Sequence, residues 1–226
     1  MKFTEFSKSY DKIYNDKLQN SKWPWSDLVS KIMLIKDSLP KRFTVLELGC
    51  GQGANIDFIK SLNAVYYGID GSINSISNLK TKFPDLKGNL YCANFIEEYS
   101  INTKIDLVID RASLTCNSTE DIKKCLYWLK NILNDQSYFI GIDWYSTKHD
   151  EYKNGNKVEN DPFFRTYPKN SFFQPPQMHF SDEMHLRKLF DEYELVHLEE
   201  KTTKHYIRYK YYPETISSWN FIGKYG

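Results

Sequence analysis

The chain has 226 residues, 41% of them hydrophobic, enough for one substantial core, so a single elaborated domain over 1–226 is expected. Its 30 basic and 29 acidic residues leave a formal net charge of +1, which gives no field for nucleic acid or an anionic membrane and points to a small-molecule partner. The four cysteines (Cys50, Cys92, Cys116, Cys125) form no C-x-x-C pair and have no histidine at metal-ligand spacing, which argues against a disulfide framework and a bound metal.

Met1 to Asn20 is polar and charged, with no signal-peptide core, and no apolar run of transmembrane length follows, so a cytoplasmic protein with reduced cysteines is expected. Tyr10, Ile13, Tyr14 and Leu18 recur at helical spacing. After Trp23-Pro24-Trp25, a second helix is predicted from Ser26 as N-cap to about Ser38, giving an N-terminal helical cap over 1–40. Thr44 to Leu48 is a short apolar run closed by glycines, the form of a buried strand.

Strand and helix patterns then alternate through a core at 41–145. They comprise a helix from about Asn55, a strand Val65 to Ile69, a helix Ser72 to Phe83, strands at Leu90 to Cys92 and Ile105 to Asp110, a helix Thr119 to Leu133, and a strand Tyr138 to Asp143. The pattern predicts an α/β fold with a mostly parallel sheet and helices on both faces. Residues 146–180 break the alternation with aromatics, basic residues and prolines, and read as a packed lid inserted after strand five. Over 181–226, Ser181-Asp182-Glu183 caps a helix to about Phe190, Glu194 to Glu199 reads as a strand, and the last strand is either Tyr206 to Tyr211 or Trp219 to Lys224.

The chemistry concentrates in Glu47-Leu48-Gly49-Cys50-Gly51-Gln52-Gly53, a strand that runs into glycines and opens a helix. Such a turn presents backbone N–H groups and lets a ligand approach the main chain. Gly49, Gly51 and Ala54 also fit G-x-G-x-x-A, so a nicotinamide dinucleotide fold competes. Glu47 tilts the balance, because a carboxylate there repels a pyrophosphate and welcomes an ammonium. Asp70, in Gly68-Ile69-Asp70-Gly71-Ser72, stands where a carboxylate accepts from two ribose hydroxyls, which suits either ligand. The Y-x-x-x-K spacing of Tyr206 and Lys210 falls outside the helix an oxidoreductase would use.

Val45 to Gly53 closely resembles motif I of the class I S-adenosylmethionine-dependent methyltransferases, and the resemblance covers roughly 42–145. It implies a Rossmann-like seven-stranded sheet and S-adenosylmethionine as donor, with S-adenosylhomocysteine as product. Glu47, Gly49, Cys50, Gly51, Gly53, Gly71 and Ser72 would surround the donor and Asp70 would hold the ribose. Asn94, where Asp is commoner, would meet the adenine beside Phe95. Ile109 to Ser113 would face the methionine moiety and reacting methyl, bringing Asp110 and Arg111 to the site.

Tyr14 and Trp25 resemble the cap that closes the donor site of small-molecule methyltransferases. No N/D-P-P-aromatic motif follows strand four, and Gln174-Pro175-Pro176-Gln177 lies beyond strand five, so nucleobase N-methylation is disfavoured. Candidate bases are Asp110, Asp143, His149 and His179. Arg111, Arg165 and Lys169 form a candidate anion cradle. The layout loosely resembles methyltransferases of bacterial capsule and surface-glycan biosynthesis, including O-methyl phosphoramidate decoration, which implies O-methylation of a small polar, phosphorylated or phosphoramidate-bearing acceptor. An NAD(P)-dependent oxidoreductase and a non-catalytic donor-binding subunit are the rival readings. Oligomeric state is left open by the sequence.

Overall fold

The computed structural model describes residues 21–168, 176–207 and 213–226. The predicted helix around Tyr10 and Tyr14, and Lys169 of the anion cradle, lie outside these residues.

Helix α1 (Ser26–Ile35) precedes the sheet. Ser26 is its first helical residue, and the cap position belongs to Trp25, which holds an extended backbone and makes no side-chain cap hydrogen bond, so the predicted serine cap is absent. The α/β series follows as β1 (Thr44–Leu48), α2 (Ile56–Ser61), β2 (Val65–Asp70), α3 (Ile73–Lys82), β3 (Leu90–Cys92), β4 (Ile105–Arg111), α4 (Thr119–Leu129) and β5 (Leu133–Tyr145). Helix α4 buries Ile122, Cys125, Leu126 and Leu129, the i, i+3, i+4, i+7 stripe of an amphipathic helix, and Ser118 caps it by accepting from Asp121 N–H. It ends before Leu133, which the sheet claims as the partner of Ile105.

Residues after β5 fold as α5 (Asp150–Asn154), β6 (Asn156–Val158), β7 (Asp161–Thr166) and β8 (Gln177–His179), and the three strands make a small antiparallel sheet in the order β6-β7-β8. Its underside packs Tyr167, Met178 and Phe180 against Cys116 in the turn after β4. The chain returns through α6 (Glu183–Leu189), capped by Asp182 as predicted, to β9 (Tyr193–Lys204) and β10 (Thr215–Tyr225). Of the two candidate last strands, Trp219 to Lys224 lies within β10, where Ser217 to Gly223 are buried in the sheet; Tyr206 and Ile207 are exposed beyond the end of β9, and the rest of Tyr206 to Tyr211 lies outside the described residues.

The main sheet has seven strands in the order β3-β2-β1-β4-β5-β10-β9. Pairs from β3 through β5 are parallel, and β10 runs antiparallel to both β5 and β9. The dinucleotide fold places its strands in the all-parallel order 3-2-1-4-5-6. An antiparallel strand between the fifth strand and the edge departs from that order. Alternation along β1 sends Val45 to one core with Ile32, Ile56, Leu79 and Ile140, and Leu46 to another with Val108, Leu129, Phe139 and Leu186. Helices α1 to α3 thus cover one face and α4 and α6 the other.

The second core is tightest at Gly141, where a Cβ would stand 2.2 and 2.3 Å from ring atoms of Phe221. Gly141→Ala is expected to lower stability by about 3 kcal/mol, the upper end of overpacking costs, read from the shift of the urea midpoint. No helix among the described residues is long and apolar enough to cross a membrane.

Candidate functional site

The turn from β1 into α2 is built on three left-handed glycines, Gly49 (φ +67), Gly51 (φ +50) and Gly53 (φ +73). This conformation strains any residue with a Cβ. Sterics add to it: a Cβ on Gly49 would stand 2.0 Å from Ser113 Oγ, and one on Gly53 2.6 Å from Leu79 Cδ2. The loop therefore lies pressed between the turn after β4 and helix α3. Cys50 faces inward with its thiol pushed well above its ordinary value by burial, and serves as apolar filling.

Two carboxylates hold this loop from below. Asp70 Oδ2 accepts from Gly51 N–H at 2.8 Å and its Oδ1 from Ser72 N–H at 2.8 Å, tying the loop to the end of β2. Ser72 is fully buried and its Oγ caps α3 by accepting from Ser75 N–H, so Gly71 and Ser72 act here through the backbone. Glu47 is 4% exposed, and its two oxygens accept from Asn55 Nδ2 at 2.8 Å and Tyr66 Oη at 2.6 Å. Burial pushes the Glu47 carboxyl from 4.5 to about 7. It underlies the loop rather than lining an open pocket, which corrects the expectation of direct exposure to a ligand. Asn55 and Tyr66 were not singled out in the sequence; the one signal was the tyrosine pair Tyr66-Tyr67 in β2, of which Tyr66 is buried.

Trp25 stands where the cap was expected. Its N–H is bonded to Asn55 Oδ1 at 3.4 Å, which links the cap segment to Glu47 through one amide side chain. The Arg111 guanidinium lies 3.6 Å over the Trp25 ring and donates from Nε (3.0 Å) and Nη2 (2.9 Å) to Asp143 Oδ2. Asp143 is therefore Arg111's counter-ion. On the loop's other side Phe95 approaches Gly49, at 3.8 Å from where a Cβ would stand. Asn94 makes an Asx turn, its Oδ1 accepting from Ile96 N–H at 3.2 Å, with its Nδ2 donating to Glu97 Oε1.

The candidate bases look different in three dimensions. Asp110 is fully buried, and its Oδ1 accepts from Ser113 N–H (3.2 Å) and Leu114 N–H (2.9 Å), fixing the turn after β4. Burial raises its carboxyl from 3.8 to about 7. The neighbouring Trp144 indole N–H pulls the other way without reaching hydrogen-bond geometry. His179 is also fully buried, with Nε2 at 3.1 Å from Thr119 Oγ1 and 3.0 Å from His185 Nε2. Burial holds it well below its ordinary range, so it is a neutral packing element and not an accessible base. His149 is buried with Nδ1 accepting from Glu151 N–H, and burial lowers it to about 4. The anion cradle is corrected too: Arg165 is 4% exposed and its guanidinium is consumed by the carbonyls of Tyr152, Pro162 and Phe164.

Solved structures share the fold that positions these residues. A methyltransferase of Methanosarcina mazei aligns over 85% of this chain and 96% of its own, at 15% identity and TM-score 0.66. One of Clostridium acetobutylicum aligns over 98% of both chains at 19% identity and TM-score 0.61. The fold is that of S-adenosylmethionine-dependent methyltransferases. Magnesium protoporphyrin IX methyltransferase of Synechocystis, solved with S-adenosylhomocysteine bound, shares the methyltransferase fold over 89% of this chain and 82% of its own, at 16% identity and TM-score 0.58. No family model and no curated protein matches the sequence.

Proposed function

We propose that the protein transfers a methyl group from S-adenosylmethionine to an acidic oxygen of a small polar acceptor. The observation that carries this reading is the pair of buried carboxylates, Glu47 and Asp70, under a left-handed glycine loop. Two negative charges there suit a ribose and an ammonium and disfavour the pyrophosphate of a dinucleotide. An ionised carboxylate accepts up to four hydrogen bonds, so the bonds from Gly51 and Ser72 are compatible with ribose hydroxyls on Asp70. In this reading Asn94 and Phe95 flank the adenine, Gly49 to Gly53 take the backbone side of the donor, and Trp25 covers it.

Glu47 and Arg111 stand on adjacent strands and project to the same face, because Glu47 pairs with Ile109, two residues before Arg111. Arg111 offers its charge to the donor's carboxylate, while Glu47, covered by the loop, acts on the donor's ammonium only through space by its charge when ionised. When bound, the donor supplies an activated methyl on sulfonium, and the protein's task is alignment. Among the described candidates none is an open base: Asp110, His149 and His179 are buried and Asp143 is paired with Arg111. A base is dispensable when the acceptor oxygen is already ionised. This supports a carboxylate, phosphate or phosphoramidate oxygen over a neutral sugar hydroxyl, and it accords with an acceptor in surface-glycan biosynthesis.

The test is titration with S-adenosylhomocysteine followed by transfer of labelled methyl to phosphorylated sugars, carboxylic acids and neutral sugars. Micromolar binding with turnover confined to the acidic acceptors is expected. Binding of NAD(P)H in place of S-adenosylhomocysteine would sink the donor reading, and turnover on neutral hydroxyls alone would sink the acceptor reading.

A further inference from the structure

At the carboxyl ends of β4 and β5, Ala112 (φ +54) and Asp143 (φ +57) hold left-handed backbone. Such strain persists only where the surroundings enforce it. For Asp143 the enforcing group is Asn220. Strand β10 shifts register against β5 between Trp219 and Phe221, which leaves Asn220 without a register partner on β5. Its side chain substitutes for the ladder. Asn220 is fully buried, its Oδ1 accepts from Asp143 N–H at 2.9 Å, and its Nδ2 donates to Glu199 Oε1 at 3.2 Å. Glu199 is anchored in turn by Lys31 Nζ at 2.7 Å from α1.

Asp143, so turned, receives both Nε and Nη2 of Arg111 on one oxygen, and the guanidinium is laid flat on Trp25. Five N–H donors of a guanidinium cannot all be consumed by one carboxylate oxygen. The edge carrying Nη1 is left to meet another anion. We infer that Asn220 is a positioning residue: by holding Asp143 left-handed it sets Arg111 where that edge receives the carboxylate of the donor's amino-acid end. The inference rests on the donor-site reading above. It makes Asn220, a residue of the last strand with no part in the glycine loop, responsible for telling a nucleoside that carries an amino acid from one that does not.

The experiment compares S-adenosylhomocysteine with methylthioadenosine, which has the same nucleoside and thioether and lacks the amino acid, by calorimetric titration of the purified full chain. Asn220→Ala is expected to weaken S-adenosylhomocysteine about tenfold while methylthioadenosine stays within about twofold. Asp143→Gly, which suits the left-handed backbone and removes only the carboxylate, is expected to do the same and keeps the question answerable if Asn220→Ala fails to fold. In an Arg111→Ala background neither change should weaken binding further. Equal losses for both ligands would show a merely structural role and overturn the inference, as would unchanged S-adenosylhomocysteine binding. Failure of the unaltered protein to bind either nucleoside would overturn the donor site itself.

Discussion

Asp70→Ala is expected to weaken S-adenosylhomocysteine binding by about 100-fold or more, near 3 kcal/mol, with the fold retained. The carboxylate closes two backbone hydrogen bonds, from Gly51 and Ser72, and is 6% exposed, so its loss leaves two N–H groups at the loop without their acceptor. Hydrogen bonds to a charged acceptor contribute about 1.5–3 kcal/mol each, and the two ribose contacts would go as well. The rest of β2 is held by its ladders to β1 and β3 and by Ile69 and Tyr66 in the two cores, which is why the fold should survive. Asp70→Asn keeps one acceptor oxygen and should fall between, about tenfold weaker. Calorimetric titration with circular dichroism on the same samples decides it. Affinity within about threefold of the unaltered protein would mean that Asp70 only ties the loop and that the ribose is held elsewhere.

The glycine loop and Asp70 were legible because their signals are local. Positive φ demands glycine, and a strand that ends in an acid opposite that turn is a spacing of about 20 residues that any reader can count. The alternation that placed β1 to β5 is equally local. What the sequence hid was pairing across distance. Asp110 and Arg111 are adjacent in a strand and so point to opposite faces, which makes an ion pair between them impossible; Arg111 meets Asp143 from the neighbouring strand instead. Asn220 reads as one more polar residue in a last strand that also carries Ser217, Ser218 and Lys224, and only the bulge in β5, where Ile142 and Asp143 stand opposite Asn220, reveals that it serves Asp143. Arg165 and His179 look like site residues by type, but they lie on opposite faces of the small β6-β7-β8 sheet and both are buried, and burial decides their use. Composition gave no hint of that sheet, because its three short strands lack sustained alternation.

Glu47→Gln is expected to stabilise the unliganded protein at pH 8 and at the same time weaken the donor about tenfold or more. The folded protein holds the Glu47 carboxyl at about 7, raised by burial from the ordinary 4.5. A raised carboxyl binds protons more tightly in the folded chain, so its contribution to stability is complete below about 4.5 and is lost as pH climbs through about 7. At pH 8 the charged side chain thus opposes folding by up to about 3 kcal/mol. Gln keeps an acceptor for Asn55 Nδ2 and presents an amide to the Tyr66 hydroxyl, so the contacts beneath the loop survive without the charge. Asp110, raised from 3.8 to about 7 by the same cause, keeps its own share of the slope, and the variant's stability should still decline between pH 5 and 8, only less steeply. A donor ammonium favours the ionised carboxylate, so S-adenosylhomocysteine should bind the unaltered protein more tightly as pH rises from 5.5 toward 7.5, and the variant should lose most of that dependence. Urea denaturation at pH 5.5 and 8, with titrations at both, separates the two effects. A variant less stable at pH 8, or one that keeps the pH dependence of binding, would show that the charge under the loop belongs to another group.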